Sequence, residues 1–456
     1  MSEKQTINLL TNAKWYDLTQ SLSIFTPPWP GEMPLQVHFF KRLTGSWGGG
    51  QGANGQLIEW SNNTGTHLVG PRAFHSGARA IADIPWSDLC GEGVIVDISD
   101  AVSDYSFYTP EMITARAEVK EGDILIINTG YHKHTFDQPD TPNANAQGGI
   151  ENKEFGYYVR HPGPSPEFFQ WALEMKLKLI GVDCGSAEHP MNTSIRYQHA
   201  REFEKAEAKL RQTHGKSWDE MFPPEEYHAL THITMPKAGL LLAESLGGQI
   251  DELSNQRAWI MVGAIPFMEV ESAWARVAAL QASDGMSADD FFAAMRDTTM
   301  LDMTLPFSVQ TPQWANYEPL SVKYTKRVGG QYFGLGRNNA HCRASFHLAT
   351  HMDGEKHFHA AGRTIGQMPF DYWFGPGVIV DISDTVSNSS VYTPAMIEER
   401  VDVQQGDILI IKTGYYQYGW NSRDSDEFRY MIKHPGPSPD FADWCLAKEI
   451  KWLGID

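Results

Sequence analysis

"GEGVIVDISDAVS" at residues 91–103 returns as "GPGVIVDISDTVS" at residues 375–387. A β-branched run bounded by glycine and closed by aspartate is the pattern of a buried strand. Its return at an offset of 284 makes the chain a tandem repeat. Other pairs follow in the same order. "GDILIINTGY" (122–131) returns as "GDILIIKTGY" (406–415), "HPGPSPEF" (161–168) as "HPGPSPDF" (434–441), and "KLIGVD" (178–183) as "KWLGID" (451–456). The last two pairs are offset by 273, so copy 2 has a shorter loop where copy 1 carries "DQPDTPNANAQGGIENKEFGYY". The openings also align, "YDLTQSLSIFTPPW" (16–29) with "LDMTLPFSVQTPQW" (301–314). These matches divide the chain into copy 1 (1–280), a linker (281–300) and copy 2 (301–456). Copy 2 has no counterpart of 184–280.

Within a copy, "GVIVDI", "DILIINTG" and "KLIGVD" read as buried strands. "YTPEMITAR" and "SPEFFQWALEMKL" each open with Thr or Ser, then Pro, then Glu, an N-cap followed by proline at the first helical position. Strands alternating with helices give an α/β core. "QRAWIMVGAIPF" reads as the last strand of copy 1, and "LTHITMPKAGLLLAESL" as helical or mixed. The linker contains a helix with Ser287 as its N-cap.

Bulk composition narrows the function classes. The chain has 456 residues, 41% of them hydrophobic, which is too long for one typical core. A net charge of −19 repels phosphate backbones, so no nucleic-acid partner is expected. No basic amphipathic stretch or spanning apolar run points to a membrane. "MSEKQTINLL" lacks the basic start and apolar run of a signal peptide. The four cysteines show no CxxC spacing, so a cytoplasmic, reducing location without disulfides is expected.

The chemistry gathers in "HLATHMDGEKHFH" at 347–359, which holds four of the 17 histidines. His347, His351, Asp353, His357 and His359 all fall on odd numbers, so an extended segment would point them to one side. Ligands of one metal must converge, so either the segment bends, with Gly354 as an easy place for it, or 347–351 forms a helical turn that brings i and i+4 together. Nitrogen and oxygen donors without sulfur suit Zn, Mn or Fe(II).

"HLATHMDGEKH" resembles the HxGTHxDxPxH signature of the cyclase family of metal-dependent hydrolases, which includes kynurenine formamidases and isatin hydrolases. Ala349 stands for its Gly and Glu355 for its Pro. The openings, "LIGVDCGSAEHP" and "HITMPKAGLLLAESL" resemble further family segments, so the resemblance spans both copies. It implies the cyclase-like, kynurenine formamidase-like α/β fold (swivelling β/β/α), here as a tandem repeat. It implies His347, His351 and Asp353 as ligands of one or two divalent ions, Mn or Zn, with His357 as general acid/base. His232 and Glu244 would be the late metal ligands. A metal bound by His and carboxylate activates water and polarises a carbonyl, and a histidine that is not a ligand can pass the proton to the leaving nitrogen. The expected function is metal-dependent hydrolysis of a C–N bond in a cyclic amide or aryl formamide. Lactone hydrolysis by the same site is the alternative enzyme reading, and a non-catalytic binding protein the other. The resemblance also implies a small-molecule substrate and a homo-oligomer.

Neither copy carries the full set. At the signature copy 1 reads "NTGTHLVGPRA", with Asn63, Val69 and Ala73 for the first His, the Asp and the catalytic His. Only copy 1 has the late pair, His232 and Glu244. Three readings stand: a fragment of a protein with two full copies, a composite site joining early residues of copy 2 to late residues of copy 1, or a protein that no longer catalyses. Other candidates are Trp29 and Trp314, which could line a pocket for a flat substrate, and Glu188 with His189 after the central strand. His132 and His134 follow a strand end, where substrate contacts are common. His161 and His434 in "HPGPSP" read as structural. "GSWGGGQGANG" at 45–55 reads as a flexible loop, not a phosphate cradle.

Overall fold

A computed structural model of the chain describes residues 3–43, 52–135, 156–227, 236, 238–315, 317–329 and 336–456. The strands of copy 1 are β1 (Lys14–Asp17), β2 (Gln36–Lys41), β3 (Gly55–Ser61), β4 (His67–Val69), β5 (Cys90–Asp97), β6 (Phe107–Tyr108), β7 (Ile124–Asn128), β8 (Gly163–Pro164), β9 (Leu179–Val182), β10 (Leu241–Glu244), β11 (Gln256–Ala264) and β12 (Ser272–Gln281). Copy 2 adds β13 (Ser321–Lys326), β14 (Asn339–Ser345), β15 (Gly377–Asp381), β16 (Val391–Tyr392), β17 (Ile408–Lys412), β18 (Gly436–Pro437) and β19 (Leu453–Ile455).

The three repeated β-branched runs are the parallel strands β5, β7 and β9. They lie in an eight-stranded sheet ordered β1-β12-β11-β5-β7-β9-β10-β4. β4 pairs with both β10 and β12, which closes the sheet into a barrel. Ile95, Ile124, Ile126 and Leu179 fill one face. Val94, Val96, Leu125, Ile127 and Val182 pack on the other against Ile113 and Phe168, from the helices Pro110–Thr114 and Pro166–Glu174. Burial on both faces is why these runs are apolar without alternation. The Thr109 hydroxyl accepts from the Met112 N–H at 3.4 Å, as the cap reading requires, whereas Ser165 makes no side-chain cap bond.

"QRAWIMVGAIPF" forms β11, but it is not the last strand of copy 1. "SAWARVAALQ" follows it as β12. That run is rich in alanine, a weak strand former, so its identity comes from pairing with β1, β4 and β11. The helix Ala288–Arg296 is capped by Ser287, whose hydroxyl accepts from the Asp290 N–H at 3.1 Å. Its Phe291, Phe292 and Met295 are buried with Trp259 and Leu280 of the barrel.

Copy 2 repeats the centre of the fold as the parallel sheet β15-β17-β19. Val380, Leu409 and Ile411 pack against Ile397 and Phe441 as their equivalents do in copy 1. The opposite face is open, with Ile379 53% exposed where Ile95 is fully buried. The copies meet in a second sheet ordered β13-β14-β3-β2, two strands from each. In its central antiparallel pair, Leu57 faces Ser345 and Ser61 faces His341. Leu57 and His341 are repeat equivalents, as are Ser61 and Ser345, so the pairing is a pseudo-two-fold centred on Glu59 and Arg343.

Cys90, Cys184 and Cys342 are buried, Cys445 is half-buried, and all four are free thiols. No helix among the described residues is long and apolar enough to cross a membrane.

Candidate metal centre

Beyond β14 the chain leaves the sheet and turns back on itself at Ala349, whose φ is +52°. Gly65, its equivalent in copy 1, has a φ of +70°. Alternation along an extended strand therefore does not gather the histidines. The turn does, and it lies at Ala349, within 347–351, rather than at Gly354, whose φ of −86° and ψ of 166° are extended backbone. The His351 Nδ1–H donates to the Ala349 carbonyl at 2.9 Å. The same bond runs from His67 to Gly65 in copy 1 at 2.8 Å. A carbonyl only accepts, so Nδ1 carries the hydrogen and Nε2 is left as the donor atom for a metal.

Three donor atoms then converge. His347 Nδ1 lies 3.1 Å from Asp353 Oδ1, and His351 Nε2 lies 3.6 Å from the same oxygen. The two nitrogens are 3.3 Å apart. Ligands about 2.0–2.2 Å from one tetrahedral cation stand roughly 3.3–3.5 Å from each other, so these side chains fit a divalent ion. His357 ends the short 3-10 turn Glu355–His357 and stacks near His347, with ring centroids 4.3 Å apart. Among the described residues, His347, Asp353 and His357 form a group whose donor atoms lie within 4.8 Å of one another.

The other copy shares in this site. The His357 Nδ1–H donates to the Asn54 carbonyl at 2.7 Å. Tyr317 lies against His347 at 5.4 Å between ring centres, and Phe40 of copy 1 meets Tyr317 edge-on at 4.9 Å. The hydrogen bond from His347 holds the Asp353 carboxyl below its usual range, against the opposing effect of burial. Burial pulls His357 below the usual histidine range, against the Asn54 bond and the Asp353 charge, so its imidazole is neutral at neutral pH.

The equivalent place in copy 1 is a closed polar core. His67 Nε2 and Glu244 Oε2 are both buried and 3.3 Å apart, without hydrogen-bond alignment. Glu244 also accepts from the Ala187 N–H at 2.6 Å. Sheet register imposes this meeting, because Glu244 and His67 are direct partners in the β10–β4 pair. Glu244 thus sits with the one signature histidine that copy 1 retains, not in the group formed by His347, Asp353 and His357.

The family model described as "Putative cyclase" matches residues 16–189 and 301–456, one segment in each copy. The chain belongs to the cyclase family. Solved structures similar to it include isatin hydrolase A from Labrenzia aggregata, at 18% identity and a TM-score of 0.43 over 60% of this chain and 95% of that one. Isatin hydrolase A from Ralstonia solanacearum is 17% identical, with a TM-score of 0.42 over 59% and 92%. An isatin hydrolase bound to the product analogue thioisatinate is 18% identical, with a TM-score of 0.45 over 62% and 100%. Membership rests on the family model.

Within this cyclase fold the remaining candidates take different places. His232 lies outside the described residues, as do 45–51 of the glycine-rich stretch and 136–155 of the loop after His134. Trp29 is 4% exposed and packs in the core, with the Arg337 guanidinium 5.0 Å above its ring and Tyr158 at its edge. Trp314 is 48% exposed, and its carbonyl accepts from the N–H of Tyr317 beside the cluster. Glu188 is fully buried and accepts from the His189 N–H at 3.1 Å. His132 is a buried partner of Asp183 at 2.8 Å, which accounts for it structurally rather than as a substrate contact. The His161 and His434 rings donate to the carbonyls of the prolines that follow them, as structural residues. Asn54 and Tyr317 escape a sequence reading. The one signal for Asn54 is that "ANG" and "RNN" align in the repeat, which pairs it with Asn338.

Proposed function

We propose that this chain is a metal-dependent hydrolase whose chemistry lies in copy 2, acting on a C–N bond of a cyclic amide or aryl formamide. The observation that carries this reading is the convergence of His347 Nδ1, His351 Nε2 and Asp353 Oδ1 at separations of 3.1 to 3.6 Å. A divalent cation held there would polarise a carbonyl and make water nucleophilic near neutral pH; the donor set suits Zn, Mn or Fe(II), and the likeness to the cyclase signature favours Mn or Zn. His347, His351 and Asp353 are its ligands in this reading. His357, neutral and carrying its hydrogen on Nδ1, keeps a basic Nε2 that can take a proton from water and return it to the leaving nitrogen. The aromatic surroundings, Tyr317 with Phe40 and the exposed Trp314, suit a flat ring as the small-molecule substrate. The choice of a C–N bond follows the likeness of "HLATHMDGEKH" to the cyclase signature.

The placement of Glu244 with His67 favours a second reading, a cyclase-like protein that binds ligands without turnover. Metal content and hydrolysis separate the two. His351→Ala should lose the bound ion, read as metal per chain after dialysis. His357→Ala should keep the ion and lose roughly 10²–10⁴-fold in kcat on an aryl formamide or an isatin-like ring. Wild-type protein that holds Mn or Zn but hydrolyses neither substrate would leave the binding reading.

A further inference from the structure

Each copy of the chain grips the signature loop of the other with one asparagine. The Asn54 N–H donates to the His357 carbonyl at 2.8 Å, and its Nδ2 donates to the Lys356 carbonyl at 2.6 Å. The Asn54 Oδ1 accepts from the Leu43 N–H at 3.0 Å, which ties the grip to the end of β2. Asn338 does the same in the other direction. Its N–H donates to the Ala73 carbonyl at 2.7 Å, its Nδ2 to the Arg72 carbonyl at 2.7 Å, and its Oδ1 accepts from the Val328 N–H at 3.1 Å. Asn54 and Asn338 are repeat equivalents, as are Lys356 and Arg72, and His357 and Ala73.

Apart from a bond from the Asn338 Nδ2 to the Ser76 hydroxyl at 3.2 Å, the two grips differ in one bond. Asn54 also receives the ring N–H of His357 on its carbonyl at 2.7 Å, whereas Ala73 has no ring to offer Asn338. From this asymmetry we infer that Asn54 of copy 1 is the positioning residue for His357 of copy 2. The inference rests on the proposed role of His357 in hydrolysis. Free neutral imidazole exchanges its hydrogen between the two nitrogens and turns about its side-chain bonds. Asn54 stops both. Its backbone N–H and side-chain amide fix the backbone that carries the ring, and its backbone carbonyl, held in place by the side-chain bonds to Lys356 and Leu43, selects the Nδ1–H tautomer and leaves Nε2 for the proton. Copy 1 has lost its own acid/base at Ala73 and keeps the device that orients the one in copy 2.

The internal duplicate supplies the control. Asn54→Ala and Asn338→Ala remove equivalent bonds from the same interface, and Asn338→Ala also the one to Ser76, so both should lower the thermal midpoint, Asn338→Ala at least as much. Only Asn54→Ala should lower kcat, roughly 10- to 100-fold as for partners that orient a working histidine. Its KM should stay within about twofold and its metal content at the wild-type value, because the ligands are untouched. Histidine ¹⁵N spectra of the zinc-loaded chain, assigned with His357→Ala, give a readout independent of turnover. Asn54→Ala keeps the backbone carbonyl but loses the two side-chain bonds that hold it on the ring, so wild type and Asn338→Ala should show one Nδ1–H tautomer at His357 and Asn54→Ala a mixture. Equal kcat losses in the two variants, or a single unchanged tautomer in Asn54→Ala, would overturn the assignment. If the wild type hydrolyses no substrate, the proposed function falls, and the tautomer in the two variants still decides the role of Asn54.

Discussion

Ala349 holds a left-handed backbone, at φ +52°, where its equivalent in copy 1 is glycine. An L-residue there costs about 1–2 kcal/mol, and glycine returns part of that as chain entropy in the unfolded state. Ala349→Gly is therefore expected to stabilise the chain by about 0.5–1 kcal/mol in urea denaturation, with metal content unchanged. A loss of stability would mean that the Ala349 methyl group packs better than its backbone strain costs. The candidate ligands around this turn are legible as residue types in the sequence. Their convergence is not, because it depends on one dihedral angle that the signature glycine would have announced and Ala349 conceals.

At the scale of the element, the ends of the parallel strands are tied by a shared aspartate. Asp183 accepts from the Thr129 N–H and hydroxyl and from the His132 ring at 2.8, 2.6 and 2.8 Å. In copy 2, Asp456 accepts from the Thr413 N–H and hydroxyl at 2.7 and 2.6 Å, and Tyr416 stands where His132 does. Burial works to raise the Asp183 carboxyl, yet the His132 and Thr129 bonds hold it below its usual range. Burial likewise works to lower His132, and Asp183 holds it above its usual range. The signs follow from linkage. The raised histidine stabilises the fold fully below about pH 6.5, and that contribution is lost as pH rises through its folded value. The lowered carboxyl stabilises the fold above about pH 3.9, and that contribution is lost as pH falls through its folded value. His132→Ala leaves a buried carboxylate without its cation, at a cost of about 3 kcal/mol. Urea midpoints across pH should show this variant without the alkaline decline that the wild type owes to His132. An identical decline in both would refute the pairing. The strands themselves are plain in the sequence because both their faces are buried. β12 is not, since its alanines carry little strand preference and only its neighbours specify it.

For the whole molecule, the pseudo-two-fold between β3 and β14 is the defining feature. A homodimer built this way sets each axis residue opposite its own copy, so a charged axis residue meets its like. Duplication within one chain removes that constraint, and here Glu59 faces Arg343, with Oε1 and Nε 3.4 Å apart. The pair is partly exposed, so its coupling should be modest, about 0.5 kcal/mol. Arg343 also pairs with Glu318 at 2.8 Å, so Arg343→Glu should destabilise by roughly 0.5–1 kcal/mol and adding Glu59→Arg should restore only the part owed to the axis pair. A double-mutant cycle with no coupling would show that the axis pair is indifferent to charge. The duplication is readable from the repeat, whereas the joining of the copies through a shared sheet is not, because register is a relation between strands distant in sequence.

The amino-acid sequence by itself determined that the chain is duplicated, that its core alternates strands and helices, and that copy 2 holds the metal-binding residue types copy 1 has lost. Local pattern suffices for these, since burial on two faces, caps and donor atoms are properties of short stretches. Tertiary structure alone decided which residues meet. It seated Glu244 beside His67 through sheet register, drew Trp29 into the core, and brought Asn54 from a stretch that reads as loose to the ring of His357. Those outcomes depend on pairing across the two copies, a free energy summed over many distant contacts and written in no single motif.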